Sequence, residues 1–183
     1  MKVLALDLGF LNTGFSVIEN NNIKQAGVIT FNHKKFTIYV SPDKSETFDV
    51  STTFKYQNEK IQNYLHSLNR IVDEYSEIFS QEIYDNIVAE TTFFGAQSYK
   101  AGVYMAISAT FWILKYPKLV IVQPQLVKKH IKQKLETTKV SKTHVIKWIN
   151  DIYQLPDISN IPKSLHNHIY DSIAAYYIYH KEG

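Results

Sequence analysis

Apolar positions follow a two-residue period near the start of the chain and a 3.6-residue period over much of the rest. Residues 2–6 (KVLAL) form a short apolar run, followed by Asp7, Gly9 and Gly14 and then FSVIE; this predicts strand, glycine-bearing turn, strand. Asn20, Asn21 and Asn22 mark the next turn. IKQAGVITF and KKFTIYV predict further strands, so residues 2–40 read as an antiparallel meander. SPDKSETFDVSTTF is polar and patternless and predicts a surface loop. Ile61, Tyr64, Leu65, Leu68, Ile71, Val72, Tyr75 and Ile78 then recur at helical spacing and predict one long helix. NIVAE (86–90) reads as an inner strand ending in a carboxylate, and TTFFGAQSYK as a loop into a helix from Tyr99 to Leu114. KLVIVQ (118–123) predicts another buried strand. Pro124 opens a helix through Leu135, since proline is tolerated in a first turn. Ser141 is placed to cap a helix through Tyr153. After a proline-bearing loop, a last helix runs from Leu165 to His180. Antiparallel strands first and βαβα units later predict a mixed α/β sheet with helices on both faces.

Composition narrows the class. A chain of 183 residues suits one domain over 1–183, and 45% hydrophobic with 20% charged residues excludes disorder and coiled-coil rods. The absence of cysteine excludes a disulfide scaffold, a thiolate metal site and a cysteine nucleophile. Asp7 interrupts the apolar run that a secretory leader needs. No stretch reaches the ~18 apolar residues of a membrane span, and VYMAISATFWILKY reads as a buried helix. A soluble, cytoplasmic protein is expected.

The net charge is only +3, but it is unevenly placed. Between Pro124 and Lys147, seven lysines (Lys128, Lys129, Lys132, Lys134, Lys139, Lys142 and Lys147) face a single acid, Glu136, so the rest of the chain is net acidic. The segment reads either as a solvated helix surface or as a patch that tracks phosphates. Arg70 is the only arginine, so phosphate contacts would be lysine point charges rather than bidentate forks.

The acids carry the sharper signal. Asp7 follows the first strand, Glu90 ends the fourth, and Asp171 sits in the otherwise apolar IYDSIAAYYIY. Three carboxylates at buried edges of inner elements repel one another and are tolerated together only with cations between them. Oxygen ligands without cysteine point to Mg²⁺ or Mn²⁺. His168 and Asp171, three residues apart on a helix, share a face. Each residue alone has a plainer reading: an Asx turn for Asp7, a cap or lysine pair for Glu90, a hydrogen bond at a helix terminus for His168. His166, Asn167 and His168 spell another nuclease motif, but that motif is spread over a different fold, and the adjacency is coincidental.

LALDLGFLNTGFSVIE (4–19), VAETTFFGAQSYKAG (88–102), VQPQLVKKHIKQKL (122–135), SKTHVIKWI (141–149) and HIYDSIAAYYI (168–178), in that order, resemble RuvC-type Holliday-junction resolvases of the RNase H-like nuclease superfamily. The resemblance covers nearly the whole chain except the loop around 41–55 and is read as that of a phage version. It implies an RNase H-like mixed five-stranded sheet with three antiparallel strands first. It implies a homodimeric, metal-dependent endonuclease that cuts four-way and related branched DNA with two Mg²⁺ per site, leaving 5′-phosphate and 3′-hydroxyl ends. Asp7, Glu90 and Asp171 match the acidic metal ligands, and His168 falls where many members carry a fourth acid and some a histidine. Lys128 and Lys142 match lysines at or near the scissile phosphate. Phe93, or its neighbour Phe94, matches an aromatic that unstacks bases at the junction centre. Lys100, Lys129, Lys132 and Lys139 are expected to contact DNA as well. Met105 stands where bacterial members are expected to carry a basic residue. The helix Tyr99–Leu114, apolar nearly all round with Ala101, Gly102, Ala106 and Ala109, is either central or at an interface.

Three rival readings differ in class. An actin-like or sugar-kinase ATPase also opens with strand-Asp-x-Gly, but needs two such domains and a second glycine-rich phosphate loop, and this chain has six glycines in all. Another RNase H-like nuclease acting on RNA or RNA–DNA hybrids would use the same acids. A catalytically silent DNA-binding relative would not need them all.

Overall fold

The computed structural model describes residues 1–32, 35–42, 44–49, 57–91 and 99–182. Its centre is a mixed sheet in the order β5-β4-β3-β2-β1-β6-β7. The strands are β1 (Lys2–Leu8), β2 (Asn12–Glu19), β3 (Asn22–Phe31), β4 (Lys35–Ser41), β5 (Lys44–Asp49), β6 (Asn86–Thr91) and β7 (Val120–Val122). The helices are α1 (Gln57–Glu74), α2 (Ser76–Phe79), α3 (Tyr99–Lys115), α4 (Pro124–Leu135), α5 (Lys142–Ile152) and α6 (His166–Glu182). β1 to β5 run antiparallel in sequence, while β6 pairs parallel with β1 and with β7.

The two-residue period sorts β1 onto two cores. Leu4, Leu6 and Leu8 pack with α1, α2 and α3, while Val3 and Ala5 pack with α4, α5 and α6. The β2–β3 connection is a two-residue turn in which Asn20 and Asn21 have φ of 50° and 63°, left-handed values that asparagine tolerates. Pro124 stands at the start of α4 as its sequence predicts. Ser141 caps α5 and accepts from His144 N, and the His144 ring accepts from Ser141 N in return, both at 3.3 Å. No helix among the described residues is long and apolar enough to cross a membrane.

The sheet has seven strands, not five. β4 is the strand that KKFTIYV predicts, and β5, its hairpin partner, takes six residues from the segment read as a surface loop. Lys44, Ser45, Glu46 and Thr47 of β5 are exposed and only Phe48 is buried. An edge strand with so little apolar surface shows no period to read. The hairpin is held by the cross-strand pairs Lys35–Asp49 at 3.5 Å and Thr37–Thr47 at 3.2 Å.

Three other boundaries differ. The long helix ends at Glu74, and α2 follows Tyr75 as a separate turn that keeps Ile78 and Phe79 buried, which is why the apolar period runs on. Gly14 lies within β2 rather than in the preceding turn. The predicted buried strand 118–123 is the short edge strand β7, with Val120 and Ile121 exposed and Val122 buried. As the last strand of the sheet it has a neighbour on one side only.

Candidate active site

Asp7 continues the alternation Val3, Ala5 onto the face covered by α6, and Glu90 continues it from Val88 on the next strand. The two acids are register partners across the parallel pair β1–β6. Neighbouring strands lie roughly 4.8 Å apart, so these carboxylates are adjacent by construction. On the other side of β1, Asp7 is in register with Gly14. A Cβ at Gly14 would collide with the backbone of His168, so a glycine there lets the first turn of α6 rest directly on β2. One turn further, the buried pair Ser16 Oγ–Ser172 Oγ at 2.7 Å ties the same two elements together. This packing brings His168 and Asp171 to the end of β1. His168 Nδ1–H donates to Asp7 Oδ2 at 2.7 Å.

Burial, and after it mutual repulsion, sets the electrostatics of the acids. Burial raises Glu90 to about 8, with Asp7 and Asp171 adding to the rise and Lys128 opposing it. Burial also raises Asp171 to about 7, Asp7 adding to it and Lys142, His168 and Lys128 opposing it. Lys128 on α4 and Lys142 at the start of α5 therefore act on the acids from the other helices of this face. With its carboxamide oxygen accepting from Lys142 Nζ at 2.7 Å, Asn167 donates its nitrogen to Ser164 O at 2.9 Å.

The structure thus gathers Asp7, Glu90, His168, Asp171, Lys128 and Lys142 in one neighbourhood. Lys129, Lys132 and Lys139 are exposed on α4 and the turn after it. α4 buries Val127 and Ile131, leaving Lys128 and Lys132 one turn apart on its outer surface. Phe93 and Phe94 lie outside the described residues, as does the side chain of Lys100. The sequence offered no signal for Asn167, whose partner Lys142 belongs to a different helix. His166, Asn167 and His168 engage Ile161 O, Lys142 and Asp7 respectively, so the three share no ligand-like arrangement.

The donor set fits a hard divalent cation: carboxylate oxygens, one imidazole, no thiolate, and negative charge that burial leaves poorly compensated. The geometry is not closed around an ion. Among the described residues no three His, Asp or Glu side chains are placed to hold one metal, and His168 is engaged by Asp7. Ligation therefore requires side-chain rotation within the cluster.

No family model and no curated protein matches the chain. Among solved structures it is similar to Thermus thermophilus RuvC in complex with Holliday junction substrate, with a TM-score of 0.56 at 15% identity, over 100% of this chain and 97% of that one. It is likewise similar to another Thermus thermophilus RuvC structure, with a TM-score of 0.55 at 14% identity and the same coverage. The mixed sheet flanked by helices is an RNase H-like α/β fold. More narrowly it is a RuvC-like fold.

Proposed function

We propose that the chain is a metal-dependent, structure-selective endonuclease that cuts Holliday junctions and related branched DNA in the cytoplasm of its cell or host. The observation that carries the reading is the meeting of Asp7, Glu90 and Asp171 at one end of the sheet, with Lys128 and Lys142 beside them. Asp7, Glu90, Asp171 and, through Nε2, His168 are the residues to hold metal. Two Mg²⁺ ions, or Mn²⁺ in their place, would supply Lewis-acid charge and water activation for phosphodiester hydrolysis. His168 orients the Asp7 carboxylate through Nδ1. Lys128 and Lys142 offset the charge that grows on the phosphate oxygens, and Asn167 steers the Lys142 ammonium. Lys129, Lys132 and Lys139 extend the positive surface along the backbone. The products carry 5′-phosphate and 3′-hydroxyl ends.

Cutting two strands of like polarity suits a two-fold homodimer. α3 supports this reading: Val103, Ile113 and Leu114 are 37%, 40% and 75% exposed. Leu65, Ile107, Phe111 and Leu114 line an apolar groove of about 610 Å³ between α1 and α3. Large apolar side chains clustered on a surface mark an interaction site.

The test is cleavage of matched four-way, three-way, flap, linear and RNA–DNA hybrid substrates in Mg²⁺, Mn²⁺ and Ca²⁺. Preferential nicking of the four-way junction in Mg²⁺, abolished by Asp7→Asn with junction binding retained, is the expected result. Preference for the hybrid, or undiminished nicking by the variant, overturns the reading.

A further inference from the structure

Beside the acid cluster lies a second feature that catalysis by the acids does not use. A cleft of about 430 Å³ is walled by Phe10 and Leu11 of the β1–β2 connection, Lys60 of α1, Tyr104 and Met105 of α3, and His168. Its size falls within the ~300–1,000 Å³ of pre-formed small-ligand pockets. His168 belongs to both the cleft and the acid cluster, so the two are contiguous.

The cleft is aromatic and fixed in shape. Phe10 is stacked between Tyr64 and Tyr104, with ring centroids 4.3 Å apart on each side and interplanar angles of 23° and 20°. Three consecutive carbonyls, those of Gly9, Phe10 and Leu11, accept hydrogen bonds from four different elements. Gly9 O accepts from Thr13 Oγ1 at 3.0 Å and Ser108 Oγ at 3.1 Å, Phe10 O from Tyr64 OH at 3.1 Å, and Leu11 O from Phe31 N at 2.7 Å. The backbone is thereby pinned while Leu11, 49% exposed, stands at the rim.

We propose that this cleft receives one unstacked nucleobase of the cut strand, next to the phosphate held at the acids. The proposal rests on the nuclease reading above. Phe10 is covered on both faces, so the walls offer its edge, the Tyr104 ring and the Met105 thioether with few polar groups, which suits apolar contact without edge recognition and so accepts any base. Lys60, in the lining, supplies a cation for a flanking phosphate. Met105, uncharged and lining the wall, is consistent with a stacking site rather than a phosphate contact.

Photocrosslinking tests this directly. Four-way junctions carrying 5-iododeoxyuridine at each position flanking the crossover are bound to the full chain in EDTA and irradiated, and the tryptic peptides are mapped. Crosslinks from a flanking position in peptide 3–24 (Phe10, Leu11) or 101–115 (Tyr104, Met105) are expected. Tyr104→Ala should lose the crosslink in 101–115 and weaken junction binding ~5- to 150-fold, while Tyr104→Phe keeps both. Crosslinks confined to peptide 71–100, which holds Phe93 and Phe94, or no crosslink from bound protein, overturn the cleft assignment and leave the nuclease reading standing. Failure of the unmodified protein to bind the junction at all overturns both. The mapping on the unsubstituted chain decides the question even where Tyr104→Ala fails to fold.

Discussion

Gly14 and His168 touch backbone to backbone, and that contact sets the depth at which α6 meets the sheet. Gly14 is the register partner of Asp7, so any side chain there lifts His168 and Asp171 away from the acid on β1. Gly14→Ala should cost about 1–3 kcal/mol, the usual penalty for overpacking. Urea denaturation monitored by tryptophan fluorescence should show the lower midpoint. The variant should lose cleavage beyond what its lost stability explains, because the added methyl group acts on the site geometry.

Glu90 and Asp171 predict an unusual pH dependence of stability in the metal-free protein. Both hold protons more tightly in the folded chain, at about 8 and about 7, than ordinary carboxyls near 4 do in the unfolded one. Their contribution is therefore fully present below about pH 4 and is lost as the pH rises through 7 and 8. In EDTA the Tm should fall by roughly 5 °C or more between pH 5 and pH 9. Glu90→Gln should flatten that fall and raise the Tm at pH 9. Mg²⁺ should raise the Tm of the unsubstituted protein far more at pH 9 than at pH 5, since it competes with protons for the same oxygens. A Tm that does not fall with pH in EDTA would show that burial and mutual repulsion do not hold protons on these acids.

The acids of this candidate site are legible in the sequence, and the reason is periodicity. Asp7 and Glu90 interrupt apolar strands at positions where the alternation demands an inward residue, and an inward acid at a strand end stands out. Asp171 does the same within α6. β5 was illegible because its exposed face and near-absence of apolar residues remove the period itself. β7 misled in the opposite sense: VIV looks buried, yet an edge position leaves two of the three exposed. Gly14 read as a turn residue because glycine serves both turns and close helix packing, and only the partner helix distinguishes them. Asn167 and the Phe10–Tyr104 cleft depend on contacts between elements distant in sequence, which no local pattern records.

The two groups of lysines should separate by salt dependence. Lys132 is exposed on α4 and is assigned to backbone tracking, so Lys132→Ala should weaken junction binding modestly and reduce the salt slope by about 1. Lys142 is held by Asn167 close to Asp171. Lys142→Ala should lower kcat by about 10²-fold or more, the scale on which a lost charge-stabilising donor acts. Asn167→Ala should fall between wild type and Lys142→Ala and add little to it in the double variant, because the two act as a unit. Full additivity of Asn167→Ala and Lys142→Ala would separate Asn167 from the lysine.

Leu114 offers the sharpest test of the homodimer. It is the most exposed large apolar residue among those described, at 75%, and it lines the α1–α3 groove together with Leu65 and Phe111. Placing a charge there should cost the folded monomer little, since the side chain already faces water. Across a two-fold interface the same charge would be buried against its own copy, and desolvation plus like-charge repulsion would disfavour association by several kcal/mol. Leu114→Glu should therefore leave the thermal unfolding of the monomer nearly unchanged while converting a dimer at micromolar concentration into a monomer by sedimentation velocity. Paired nicking of a four-way junction should collapse to single nicks in the same variant. A wild-type protein that sediments as a monomer under these conditions, or a Leu114→Glu variant that still dimerises, places the contact elsewhere or removes it.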